Sequence, residues 1–255
     1  MRGTNGRISS GRVFFVGALF LFIALSVAAG FVSEGPVGYW TFDELRGTVA
    51  ADSSGNGFNG THIGSPVSVP GMIGGALLFN GGDAVMVPAS AGTTTGGDMT
   101  IALWFDADSV GEKGQGRFVS KDGSFEVRFS NYKSRIYFDA NRWATPGKWR
   151  GYLDEDKSLM AGWHHLVITY EYRVGYNPTP VFYLDGGNMI SENFKIPSGD
   201  LGPDPGNPIY FGNRAGMDRG FDGSLDDPRI YDRILTPWEV SSLFYCGIGK
   251  GCVAD

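Results

Sequence analysis

The sequence predicts an all-β protein: an antiparallel two-sheet sandwich with one short C-terminal helix, preceded by an N-terminal hydrophobic helix. Three observations carry this. Short aromatic and β-branched runs recur from Val37 to Asp232, separated by Gly-, Asn- and Asp-rich turns, in a chain of 255 residues with 40 Gly and 14% aromatics. Several of those runs alternate apolar and polar residues with period two. A lone helix signature, Thr236-Pro237-Trp238-Glu239, stands near the end of the chain.

The elements follow in order. Arg2, Arg7 and Arg12 precede a uniformly apolar run from Val13 to Phe31, which is the composition of an export signal. Small residues around Ser26 to Gly30 would permit cleavage, yet the run also has about the length of a spanning helix, so residues 1–33 read as a signal peptide or a membrane anchor. Either places the domain at 34–255 outside the cell, secreted or held at a membrane; the arginines on the cytoplasmic side agree with that orientation. A pilin-like leader fits poorly, because no acidic residue occurs between Met1 and Val32.

Residues 37–42 read as the first strand, and 52–60 as turn chemistry throughout. The pair ALLFNG and DAVMVP, within 76–88, predicts a hairpin turning at Gly81-Gly82. The near-continuous apolar run 99–107 predicts a central strand buried on both sides. Residues 118–130 hold two strands around Asp122-Gly123. In the second, Phe125, Val127 and Phe129 face one way, while Glu126, Arg128 and Ser130 face a wet side. A strand at 135–140 follows. Residues 141–161 read as a polar, Trp-containing insert. Strands at 163–172, 180–187, 208–213 and 224–232 complete the sheets, with a proline-rich loop at 201–208. Val240, Leu243 and Phe244 then make one apolar stripe on a capped helix.

Composition limits the function. The net charge of -6 leaves no basic footprint for nucleic acid. Two cysteines, Cys246 and Cys252, flank a glycine-rich stretch; in an exported chain they would close a small disulfide loop, the alternatives being free thiols or an intermolecular link. Two Cys and three scattered His offer no zinc spacing. Asn59-Gly60-Thr61 is a glycosylation sequon in an expected turn.

Catalysis finds little support. There is no Gly-x-Ser-x-Gly elbow and no Glu-x-Asp-x-Glu strand. Glu126 stands alone on its strand, and the consecutive acids at 154–156 fall in a loop. His164 and His165 are adjacent, so they point to opposite sides of one strand, one into the core and one to the surface. Carbohydrate contact is the better candidate. Trp143, Trp149, Tyr152 and Tyr132 lie in or near the insert and outside apolar runs, as exposed rings that stack on sugars would. Trp40, Trp104, Trp163 and Trp238 sit in strong patterns and read as core.

The ordered motifs also resemble a known family. Tyr39-Trp40-Thr41-Phe42-Asp43-Glu44 opens the series, and the turn Asp52 to Gly57 follows. Then come Gly74 to Gly81, Thr100 to Phe105, Trp163 to Val167, Tyr183 to Gly186 and Gly223 to Tyr231. Across about 37–246 this succession is similar to the LamG-like, concanavalin A-like jelly-roll family. Pro228 departs from the pattern and implies an edge or a bulge, since proline lacks a ladder N–H. The resemblance implies a jelly-roll sandwich and a structural Ca²⁺ held by Asp52, Asn56 and Asp226, with Asp43 in reserve. Against the metal, Asp52 would cap its own Asx-turn. The function implied is a non-catalytic module that recognises a glycan or an extracellular protein surface. The alternatives are a structural subunit of the cell surface or a filament, and a glycoside hydrolase whose carboxylate pair the sequence does not reveal.

Overall fold

The computed structural model describes residues 35–90, 97–154, 157–160, 162–171 and 179–250. The apolar run 13–31 and Cys252 fall outside them, so the export segment and the Cys246–Cys252 pairing are not addressed by the structure. Among the described residues no helix is long and apolar enough to cross a membrane.

In chain order the strands are β1 (Gly38–Tyr39), β2 (Val49–Ala50), β3 (Gly60–Ile63), β4 (Val67–Pro70), β5 (Gly75–Asn80), β6 (Ala84–Val87), β7 (Met99–Ala107), β8 (Arg117–Lys121), β9 (Phe125–Phe129) and β10 (Arg135–Ala140). They continue with β11 (Trp143–Thr145), β12 (Gly147–Tyr152), β13 (His164–Tyr170), β14 (Val181–Leu184), β15 (Gly187–Asn188), β16 (Ile190–Lys195), β17 (Ser198–Leu201), β18 (Ile209–Phe211) and β19 (Asp222–Tyr231). The helix α1 (Pro237–Gly247) closes the series. One sheet runs β15-β14-β13-β7-β19-β5-β4, with β1 also on β19. The other has nine strands, β16-β12-β10-β9-β8-β18-β6-β3-β2. A small ribbon pairs β11 with β17.

The two large sheets share one core. Leu77, Phe79, Ile101, Leu103, Phe105 and Leu225 come from the first sheet; Val85, Phe118, Val127, Phe138, Trp149 and Phe211 come from the second. Phe105 meets Phe118 across the gap at 5.0 Å between ring centroids. Apolar residues of alternate parity therefore bury one face of each sheet against the other, as a sandwich requires.

β7 is central as expected, between β13 and β19. Its second face is buried because α1 lies on it. Phe244 stacks on Trp104 at 5.7 Å, and Val240 joins Ala102, Val167 and Tyr183 in a second cluster. The helix starts as its sequence dictates: Thr236 Oγ1 accepts from Glu239 N, and Glu239 Oε2 accepts from Thr236 N. Trp238, expected in the core, is 59% exposed. It stands two residues before Val240, about 200° round the helix, and so faces away from the sheet.

Two further expectations are corrected. β5 and β6 form no hairpin: β5 pairs with β4 and β19, and β6 with β3 and β18, in the opposite sheet. The Gly81-Gly82 segment carries the chain across the sandwich. Asp83 holds that corner, accepting from Ser65 N and Asn80 N. Turn chemistry alone does not say whether the chain returns beside itself or crosses to another layer. The stretch 141–161 is not a polar insert on the rim either. It contains β11 and β12, and β12 lies between β10 and β16 in the nine-stranded sheet. Its charged residues alternate with inward-facing Trp149 and Gly151.

Pro228 sits at a bulge rather than an edge, since the β19–β7 register shifts between Asp226 and Arg229. Asp227 there takes a left-handed backbone (φ 53°), and the Pro228 carbonyl accepts from Trp40 N. The bulge turns Asp226 and Asp227 into the protein.

Candidate functional site

The outward face of the nine-stranded sheet is built by the residues that alternate with the core positions. On β9, Phe125, Val127 and Phe129 point inward and Glu126 and Arg128 outward. The strand registers align these outward residues in two cross-strand rows. One row is Glu126, Asp139, Lys148, Lys195; the other is Arg117, Arg128, Tyr137, Arg150, Glu192. Residues directly opposite on neighbouring strands have Cβ atoms roughly 5 Å apart, so each row is continuous.

Between them lies a recess of about 310 Å³. Five cations line it, Arg117, Arg128, Lys148, Lys195 and Arg214, but only two carboxylates, Glu126 and Asp139. Arg117 pairs with Glu126 at 2.7 Å. Arg128 and Lys148 share Asp139, at 2.7 and 3.5 Å. Arg214 is paired with Asp218 at 2.6 Å. Arg117 is held below the usual guanidinium range, first by burial and then by its neighbours Arg128 and Arg214, with Glu126 opposing. Hydrogen-bonding capacity remains unused here: Arg117 Nε and Asp139 Oδ1 are buried and have no hydrogen-bond partner. Tyr137 stands next to the recess, between Arg128 and Arg150 in the second row. Arg128 lies over its ring at 4.6 Å, and Phe194, 60% exposed, meets it edge-on at 5.7 Å.

The ligand-contact residues expected from sequence divide. Trp149 (1% exposed) and Trp143 (8%) belong to the core, where Trp149 packs on Phe138 and Tyr170 and Trp143 Nε1 donates to the Tyr170 hydroxyl. Both are therefore corrected from sugar platforms to packing residues. A tryptophan flanked by charges on a strand can still be the inward residue of a period-two pattern. Tyr132 is 57% exposed with Arg135 over its ring, and Arg135 is the register partner of half-buried Tyr152. Those two tyrosines stand at one end of β10 and β12. The sequence reading missed the recess itself. Its signal was present in the polar parity of β9, β10 and β12, but the three strands had to be aligned to show it.

The implied calcium site divides in the same way. Asp52 Oδ1 accepts from Tyr39 N and Ser54 N, and its Oδ2 from Ser54 Oγ and Phe58 N. Asn56 Nδ2 donates to the Val37 carbonyl. This turn is a self-contained Asx cap in which four donors occupy the Asp52 carboxylate. Asp43 and Asp226 instead converge on the loop 71–75. Asp43 Oδ1 accepts from Gly75 N at 2.5 Å, and Asp226 Oδ2 from Ile73 N at 2.9 Å. A Cβ on Gly71 would stand 2.6 Å from Asp226 Oδ2, and one on Gly74 2.2 Å from Asp43 Oδ1. Asp226 is fully buried and its Oδ1 has no hydrogen-bond partner. Burial, followed by the charges of Asp227 and Asp43, pushes its carboxyl up to about 7. An orphaned buried carboxylate beside a second one fits a hard cation. Among the described residues no three His, Cys, Asp or Glu side chains gather at one point, so further donors would be backbone oxygens.

His165 is the buried member of the His pair (3% exposed), and half-buried His164 pairs through Nδ1 with Asp185 at 2.8 Å. The carboxylates Glu126 and Asp139 are register neighbours on adjacent strands. Each is engaged by an arginine at 2.7 Å.

The fold and the two sites define a two-sheet β-sandwich with a polar, cation-rich outer face. Residues 79–241 match the family described as the concanavalin A-like lectin/glucanases superfamily, of laminin G type, and the chain belongs to that family. Three solved structures share the fold. The binding domain of Paraclostridial Mosquitocidal Protein 1 is 20% identical with a TM-score of 0.63, over 83% of this chain and 52% of that one. Domain 4 of AbnA, an extracellular arabinanase from Geobacillus stearothermophilus solved with arabinotriose, is 21% identical with a TM-score of 0.60, over 82% of this chain and 98% of that one. The Botulinum neurotoxin serotype G binding domain is 19% identical with a TM-score of 0.60, over 83% and 51%. This chain thus spans about half the length of each toxin binding domain it matches. A comparison with curated proteins gives no match.

Proposed function

We propose that this protein is an extracellular, non-catalytic carbohydrate-binding module whose ligand lies on the outer face of the nine-stranded sheet. The observation that carries this reading is the recess itself. Side chains from β8, β9, β10, β12 and β16 converge on it, and the exposed Phe194, packed edge-on with Tyr137, adds aromatic surface beside the charged hydrogen-bonding groups. Sugar recognition needs that combination of an apolar ring face and polar groups at fixed positions. The arabinotriose carried by the AbnA domain supports the reading by analogy of fold.

A calcium ion, where bound, would be held by Asp43 and Asp226 with backbone oxygens, and would neutralise the carboxylate that the bulge at Pro228 buries. Asp226 and Asp43 would then tie β19 to the loop 71–75. Glu126 opposite Asp139 keeps a glycosidase as the second reading, because a carboxylate pair is that chemistry's requirement.

The test is a glycan array probed with the full chain, in calcium and in chelator, alongside a reducing-end assay. Saccharide binding that Tyr137→Ala removes without lowering Tm is the expected result. No binding across the array by the folded protein would refute the carbohydrate reading. Release of reducing ends, lost on Glu126→Gln, would replace it with the hydrolase.

A further inference from the structure

We infer that the recess selects an acidic saccharide, a sugar of the uronate class carrying one carboxylate per ring; this rests on the carbohydrate reading above. The first ground is charge. The chain as a whole is acidic, at -6, yet its recess is lined by five cations against two carboxylates. Arg128 and Lys148 share one carboxylate, and Lys195 is an exposed register neighbour of Lys148 that adds a further cation. A patch of one sign inside a protein of the other raises the local concentration of an oppositely charged ligand.

The second ground is unused donor capacity. Arg117 is buried, its Nε–H has no partner, and it lines the recess. With Nη2 taken by Glu126 and Nη1 by the Gln115 carbonyl, that Nε–H is the one donor left for a charge-assisted bond to an anionic group. The third ground is spacing. Glu126 and Asp139 form the acidic half of a row that Lys148 and Lys195 complete. A densely sulfated chain would set its charges against these acids, whereas a single carboxylate per ring can sit at the lysine end and leave only hydroxyls facing the acids. Asp139 Oδ1, whose Lys148 neighbour stands at 3.5 Å, has acceptor capacity left for a sugar hydroxyl. Tyr137 and Phe194 supply the ring contact that every sugar shares.

The experiment is calorimetric titration of the full chain with trisaccharides of galacturonate, glucuronate, mannuronate and guluronate, each beside its neutral methyl ester. At least one acid is expected to bind about tenfold or more tighter than its ester, as one charge-assisted contact implies. That preference should shrink as salt rises from about 50 to about 500 mM. Lys148→Gln with Lys195→Gln should remove it while Tm holds, since both lysines are surface-accessible. Equal affinity for every acid and its ester, with both lost on Tyr137→Ala, would overturn the charge selection and leave a neutral-sugar site. Tighter binding of a sulfated trisaccharide than of any uronate would overturn the ligand class. No binding of any probe here or on the glycan array would overturn the inference together with the reading beneath it.

Discussion

Replacing Trp149 by Ala separates the two roles a tryptophan can have on β12. Its indole is 1% exposed and packs on Tyr170 at 5.5 Å and Phe138 at 6.0 Å, while a Cβ on Gly147 would stand 2.4 Å from the ring. The cavity left by Trp149→Ala should cost about 3–5 kcal/mol in stability. One feature moves the expectation to the lower end. Nε1 is buried without an acceptor, a defect worth roughly 1–3 kcal/mol that the substitution also removes. Trp149→Phe keeps most of the ring and discards the orphaned N–H, so it should lie within about 1 kcal/mol of the parent. Urea unfolding followed by circular dichroism gives both values. For a domain of this size the alanine variant should also melt roughly 6–12 °C lower. If Trp149→Ala leaves the midpoint unchanged while Trp149→Phe abolishes saccharide binding, the residue is a ligand platform and the packing argument is wrong.

Two other expectations follow from buried charge. His165 lies against Trp104 at 4.8 Å, and burial, aided by Arg229, lowers its value from 6.5 to about 3. The unfolded chain therefore binds the proton more readily. The stabilisation is complete above pH 6.5 and is lost as pH falls toward 3, by up to about 1.4 kcal/mol per unit. His165→Phe should flatten that acid limb in unfolding measured from pH 7 to pH 4, and an unchanged slope would show that the ring does not control it. Asp226→Asn should be at least as stable as the parent in chelator, because a buried charge beside Asp43 and Asp227 is removed. Calcium should raise Tm for the parent and not for the variant; an equal shift in both would place the ion elsewhere.

Much of the sandwich was legible because its grammar is local. Period-two alternation on β9, the doubly apolar run of β7 and the Thr236–Glu239 capping box each depend on neighbours within a few residues. Family motifs reached from Tyr39 to Tyr231 and agree with the match over 79–241. The places where local reading failed are instructive. Gly81-Gly82 looks like a hairpin turn, but the partners of β5 and β6 are strands far away in the chain. Trp149 looks exposed among Lys148 and Arg150, yet parity within β12 sends those three side chains to alternating faces. Asp52 resembles a ligand and is used up by four local hydrogen bonds.

The sequence by itself determined the strand grammar, the family, the capped helix and the inward-facing residues of β9, since these depend on side-chain periodicity and on backbone preferences of Pro, Gly and Thr. Only the tertiary structure assembled the candidate face. Arg117, Glu126, Asp139, Lys148 and Lys195 come from five strands, and their side chains become neighbours through inter-strand register. Register is set by the hydrogen-bond ladder and by burial of the opposite face, and no single strand carries that information. The same holds for Asp43 and Asp226, which meet at the loop 71–75 because a bulge at Pro228 turns β19 inward.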